Sequence, residues 1–250
     1  MTERLSHILK RIDSRHLAKL WSFFRDYFAD DDLCLSFICK ALANEPANDG
    51  TIYREIDKAS GNFINDEGTV IHDADFIPRR MLNTVERLVT AARDMDQIRR
   101  GKDVFKVVFL VTCVETLQKL SGKSGSKKDL LFAFFENYTS EDDKRYISEH
   151  FAHDDEDGFD KTEDSFKQFV GVLNEYRNCA THEGEYWDFC FNNNRNGYPM
   201  LLVLDIDLEK FSSRNKKEHC FHISISYVEF EEVFVRTCIR FIEVYTSKDE

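Results

Sequence analysis

The chain is poor in the two residues that most often interrupt regular structure, with 3 prolines and 10 glycines in 250 residues. That scarcity fits a mostly helical fold, because both residues are penalised inside helices. An excess of positive charge is also missing. The 34 Lys and Arg face 46 Asp and Glu, a formal charge of −12, which is the wrong sign for a general nucleic-acid coat protein. Any nucleic-acid contact must then rest on a local basic cleft or on a partner's basic surface. No Cys-x-x-Cys pair occurs among Cys34, Cys39, Cys113, Cys179, Cys190, Cys220 and Cys238. Their odd number and apolar surroundings point to small buried hydrophobes in a cytoplasmic setting. There is no basic-then-apolar leader and no uninterrupted apolar run of about 18 residues, so no membrane association is expected.

What is present is the material of a packed core. A hydrophobic fraction of 42% with 22 Phe argues for a globular chain rather than a disordered one. The length suffices for one large domain or two small ones. Leu17, Leu20, Trp21, Phe24, Tyr27 and Phe28 make an amphipathic stripe, and residues 33–43 make a second after the acidic break Asp30-Asp31-Asp32. Residues 44–50 (NEPANDG) are the clearest turn cluster. Residues 51–77 carry Gly61, Gly68 and several Asp and Asn, and read as loop with short helix or strand. Pro78 suits a first helical turn, and Met81, Leu82, Val85, Leu88 and Val89 continue that helix to about Arg100. Further helices over 104–120, 130–138, 164–182 and 229–245 complete a bundle.

Two stretches break the helical pattern. Residues 198–208 (YPMLLVLDIDL) and 219–227 (HCFHISISY) alternate as strands do. The simplest arrangement is a two-stranded ribbon at about 198–227, inserted before the last helix. A lone ribbon is marginally stable, so it should lie on the bundle, the N-terminal region or a partner.

The densest chemistry lies at Arg177-Asn178-Cys179-Ala180-Thr181-His182. On an α-helix Arg177 and His182 would stand about 140° apart, while Asn178 and His182, four apart, share a face. Gly184 is a stop signal that sets His182 in the last turn, where the negative helix end favours an imidazolium. A guanidinium can hold a phosphate with a two-pronged fork and meet charge developing on it. An imidazole can move the proton of a ribose 2′-OH or of the leaving oxygen. Asn178 can orient either partner. Cys179, inside the run, is assigned to packing, because Glu183 four residues on opposes a thiolate. Upstream, residues 104–120 (VFKVVFLVTCVETLQKL) form a strongly apolar helix with a single acid, Glu115. An acid there is costly unless paired, and Arg177 is the evident partner.

This combination resembles the HEPN superfamily, through the R-N-x-x-x-H run and the earlier helix with Cys113-Val114-Glu115-Thr116-Leu117. The resemblance covers about half of the chain and is specific at two helices. It implies a HEPN-like helical bundle over residues 78–250, with residues 1–77 as a helical N-terminal extension. It also implies a metal-independent endoribonuclease with Arg177, Asn178 and His182 at its centre and Glu115 in support. Because 2′-OH attack is best served by a base and an acid on opposite sides, the resemblance further implies a homodimer that apposes two such helices. Family members serve in prokaryotic toxin–antitoxin and phage-defence systems, which implies a regulatory partner or antitoxin. The competing class is a non-catalytic protein- or RNA-binding module, in which Arg177 and Glu115 are a structural pair.

Other constellations are weaker. Residues 119–128 (KLSGKSGSKK) lack the order of a phosphate loop and read as a basic connection whose Lys123, Lys127 and Lys128 are candidates for RNA backbone contacts. His150 and His153 beside Asp154, Asp155, Glu156 and Asp157 read as a solvated segment rather than a metal site. His219 and Cys220 face opposite sides of a strand, with no second ligand pair nearby in sequence. No structural metal and no cofactor are expected.

Overall fold

The fold comes from a computed structural model that describes residues 14–43, 54–57, 62–64, 70–98, 102–155, 158–160, 165–183, 189–192, 200–207 and 212–247. The protein is mainly helical. The eight α-helices among the described residues are α1 (Ser14–Phe24), α2 (Asp31–Ala41), α3 (Ile77–Ile98), α4 (Asp103–Leu120), α5 (Lys127–Tyr138), α6 (Glu141–Glu149), α7 (Ser165–Asn178) and α8 (Tyr227–Thr246). Where the sequence reading divides the chain at 77/78, the compact units comprise residues 1–86 with 241–250, and residues 87–240.

In the smaller unit the two N-terminal helices pack through aromatic edges. Phe24 lies 4.8 Å from Phe23 and 5.6 Å from Phe37, ring centre to ring centre. Asp30 caps α2 by accepting the Leu33 N–H at 2.8 Å, so the acidic break acts as a helix start. Residues 51–77 contribute the antiparallel sheet β1 (Arg54–Asp57), β2 (Asn62–Ile64) and β3 (Val70–Ile71), in that order.

The larger unit holds a second sheet, and here the ribbon expectation needs correction. The strands β6 (Met200–Asp207) and β7 (Ser212–Ile223) do pair, but β7 also pairs with β4 (Phe151–Asp155), and β4 with β5 (Gly158–Asp160). The sheet order is β5-β4-β7-β6. The acidic segment expected to be solvated thus supplies an interior strand. The physical reason is Phe151, fully buried and 5.4 Å from Phe221 and 5.5 Å from Phe169. One anchored phenyl face outweighs the acids that follow it. The marginality of a two-stranded ribbon is met by adding strands to it.

Phenylalanines also knit the helices. Phe135 of α5 contacts Phe166 of α7 and both Phe230 and Phe234 of α8, and Phe169 reaches Phe230 at 5.2 Å. The start of α4 is tied down by charge instead. Lys106 is 1% exposed, with its ammonium 2.9 Å from Asp103, 2.7 Å from Asp96 and 4.2 Å from the centre of the Tyr227 ring. Asp103 in turn accepts the Phe191 N–H at 2.9 Å. A buried lysine persists only where its charge is answered in this way.

The start of α8 is a capping box. The Ser226 N–H donates to Glu229 at 2.8 Å, and the Glu229 N–H donates to the Ser226 hydroxyl oxygen at 3.3 Å. Hydrogen bonds from Ser226, opposed by burial, hold the Glu229 carboxyl below its ordinary range.

Two outcomes follow from this frame. Lys106→Met leaves the Asp103 carboxylate buried without its cation and should lower unfolding free energy by about 3–5 kcal/mol, read by urea denaturation; a loss under about 1 kcal/mol contradicts the assignment. A carboxyl with a depressed folded pKa stabilises above its unfolded value and loses that contribution as pH falls through the folded one. Glu229→Gln should therefore lower the Tm at neutral pH, with the gap to wild type narrowing as pH drops below about 4.

Candidate functional site

Glu115 and Arg177 meet because two apolar helices cross. Val104, Val107, Leu110, Val111, Val114 and Leu117 bury the core side of α4, and Phe166, Phe169, Val170, Leu173 and Tyr176 do the same for α7. Near the end of α7 the buried surface turns polar, with Asn174, Glu175 and Arg177 all buried. A guanidinium at that depth requires a carboxylate. Arg177 Nη2 donates to Glu115 Oε1, and Nη1 donates to Asn178 Oδ1 at 2.9 Å. The Asn178 amide donates onward to Glu175 Oε2 at 3.4 Å. On the other side of the carboxylate, Lys127 Nζ lies 3.7 Å from Glu115 Oε2.

The result is one line of polar groups: Glu175, Asn178, Arg177, Glu115 and Lys127. It runs outward, because Arg177 is 5% exposed as a residue while the Lys127 side chain is 65% exposed. Two of the five N–H donors of the guanidinium are engaged by the Glu115 and Asn178 bonds.

His182 is placed differently from the helical expectation. The α-helix stops at Asn178, and Cys179–Glu183 form a π turn. Gly184, the expected stop signal, lies outside the described residues. A π turn closes on the fifth residue rather than the fourth. Arg177 therefore belongs to the α-helix, and His182, five residues on, to the turn that follows it. The Thr181 hydroxyl donates to the Arg177 carbonyl at 2.9 Å, giving one of the last carbonyls of α7 a partner. His182 itself is exposed, and Cys179 is half-buried in the same turn.

The basic connection between α4 and α5 is built rather than loose. Gly122 has φ +75°, its N–H donates to the Lys119 carbonyl at 3.1 Å, and the Lys123 N–H donates to the Gln118 carbonyl at 3.0 Å. These are the two bonds of a Schellman ending, which asks for a glycine in the left-handed region. Ser126 then caps α5 by accepting the Asp129 N–H at 3.1 Å. The three lysines separate as a result. Lys123 is bound to Tyr138, at 2.8 Å from its hydroxyl and 4.9 Å from its ring centre. Lys127 stands on the Glu115 carboxylate, and Lys128 is half-buried in the first turn of α5.

Comparison with protein-family models, with curated proteins and with solved structures returns no match. The chemistry of the residues is what characterises the site.

Sequence reasoning names Arg177, Asn178, His182 and Glu115 but misses Glu175. Its signal was the three-residue spacing to Asn178, which puts both on one face of a helix. The histidines of the second sheet stand apart from this cluster in sequence. His153 Nε2 and His219 Nδ1 lie 3.0 Å apart, each in contact with the Phe221 ring. Among the described residues no group of three His, Cys, Asp or Glu is placed to hold a metal ion.

The Arg177–Glu115 pair should couple energetically. In a double-mutant cycle of Arg177→Gln and Glu115→Gln, urea unfolding should give an interaction of about 1–3 kcal/mol. Strict additivity of the two single changes contradicts the pair.

Proposed function

We propose that the chain is a metal-independent endoribonuclease of the HEPN type, acting through Arg177, Asn178 and His182 with Glu115 setting the guanidinium. The observation that supports this reading is the polar network at the end of α7. Arg177 is gripped on two sides yet has N–H donors beyond those two bonds, and the π turn that follows it carries an exposed His182. Pre-set donors are what a phosphoryl transition state rewards, because no reorganisation is left to do when charge develops. Short π segments of this kind recur at functional sites.

In the proposed reaction the ribose 2′-oxygen attacks the adjacent phosphorus and the bond from phosphorus to the 5′-oxygen breaks. The 2′-OH proton passes to a basic imidazole, and the departing 5′-oxygen takes a proton from an acidic one. The products are a 2′,3′-cyclic phosphate and a 5′-OH. Arg177 offsets charge on the non-bridging oxygens, and Asn178, itself held by Glu175, keeps the guanidinium from rotating. One chain contributes one His182. A homodimer contributes two, so the proposal includes a two-fold assembly in which base and acid come from different copies. A toxin or defence role, and a regulatory protein partner such as an antitoxin, extend the proposal through the family resemblance.

A second reading has one specific observation in its favour. The deep burial of Arg177 also suits a non-catalytic module in which the ion pair only joins α4 to α7. The two readings part in one assay. Purified protein incubated with cellular RNA in EDTA should cut it and leave 2′,3′-cyclic ends, and His182→Ala or Arg177→Ala should each reduce the rate by at least about 100-fold. Cutting undiminished in His182→Ala sinks the site; absence of cutting by wild type favours the binding module.

A further inference from the structure

The geometry points to Lys127 as the substrate-facing cation of the site, gripping a backbone phosphate next to the scissile one; this rests on the ribonuclease reading. Four observations carry it. First, of the two described cations on Glu115, Arg177 is buried and Lys127 is open, with side chains 7% and 65% exposed. Second, the two cations approach different oxygens of one carboxylate, Oε1 and Oε2. The carboxylate stands between them, so a single phosphate cannot bridge both without displacing Glu115.

Third, the Lys127 contact is an ion pair beyond hydrogen-bond length, at 3.7 Å. An exposed pair of that kind is weak and screened by salt, and the ammonium can swing to an incoming phosphate at little cost. Fourth, the base of this side chain is fixed. Lys127 is the first residue of α5, directly after the Ser126 cap and the Schellman ending of α4. The positive end of the α5 dipole adds to the attraction for an anion. Lys123, by contrast, spends its ammonium on Tyr138.

Losing Glu115's second cation to the substrate has a further effect. The carboxylate is then left to Arg177 alone, which strengthens the hold on the guanidinium when RNA is bound. Lys127 would thereby link substrate capture to the setting of the catalytic group.

The test uses the full-length chain and a fluorescein-labelled 12-nucleotide oligomer of mixed sequence with 2′-O-methyl riboses, which cannot undergo 2′-OH attack. Fluorescence anisotropy gives Kd between 50 and 200 mM salt. Lys127→Ala should raise Kd roughly three- to five-fold at the lowest salt, the scale of one exposed ion pair. It should also flatten the slope of log Kd against log salt by about 0.7, the value for one phosphate on a single strand. Lys127→Arg should restore both. Lys167→Ala is the charge-matched control, since ten residues of helix set it about 15 Å from Arg177 along α7, and it should change neither by as much. Wild type that binds, with Lys127→Ala matching it in Kd and slope, overturns the Lys127 assignment alone. Wild type that fails to bind overturns the ribonuclease reading together with it.

Discussion

A guanidinium buried to 5% exposure cannot be left unanswered, and the answer given to Arg177 orders most of what surrounds it. Its Glu115 partner comes from a different helix, so the crossing of α4 and α7 can slide little without stranding a charge. Asn178 is drawn into the same network, and through Asn178 the carboxylate of Glu175. The outer oxygen of Glu115 then defines where Lys127 rests. A chain of five side chains is thus organised by the requirement that one buried charge be met, and the polar line it makes leads from the interior to solvent.

The scaffold around that line is aromatic and stiff. Phe135, Phe166, Phe169, Phe230 and Phe234 link α5, α7 and α8 by edge and face contacts, and Phe151 and Phe221 carry the same packing into the second sheet. Such contacts fix helix axes by shape. The polar groups at the outer end of that line are placed afterwards by short local devices: a Schellman glycine, a serine cap and a π turn. Each device acts over a handful of residues, and each directs a charged or titratable side chain.

Legibility in the sequence followed the physics of each element. The apolar stripe of residues 104–120 and its single acid were plain, because one carboxylate among valines and leucines can be satisfied in few ways. The pairing of Glu115 with Arg177 was readable for that reason. The strand at Phe151–Asp155 was not, since its single buried phenyl is followed by a run of acids that reads as solvent-facing. The helix over Glu141–Glu149 was obscured by its acidic first turn, which Ser140 in fact caps. The start of α8 at Tyr227 was legible only through the Ser226-x-x-Glu229 box, because the preceding residues alternate as a strand does. The π turn had no signal at all: composition does not distinguish a turn closed on the fourth residue from one closed on the fifth.

That turn makes the region sensitive to chain length in a way that its residue types do not reveal. A π turn is an α-helix carrying one residue too many, and its extra residue is costly unless the geometry is useful. Removing a single residue between Asn178 and His182 would let the helix relax to its ordinary winding and change which side the imidazole faces, with Arg177, Asn178 and His182 all still present. For a chain built this way, counting residues between arginine and histidine says more about the site than scoring their neighbours. An alignment that closes such a one-residue gap for the sake of a better match would erase the feature that sets where the imidazole stands on the turn.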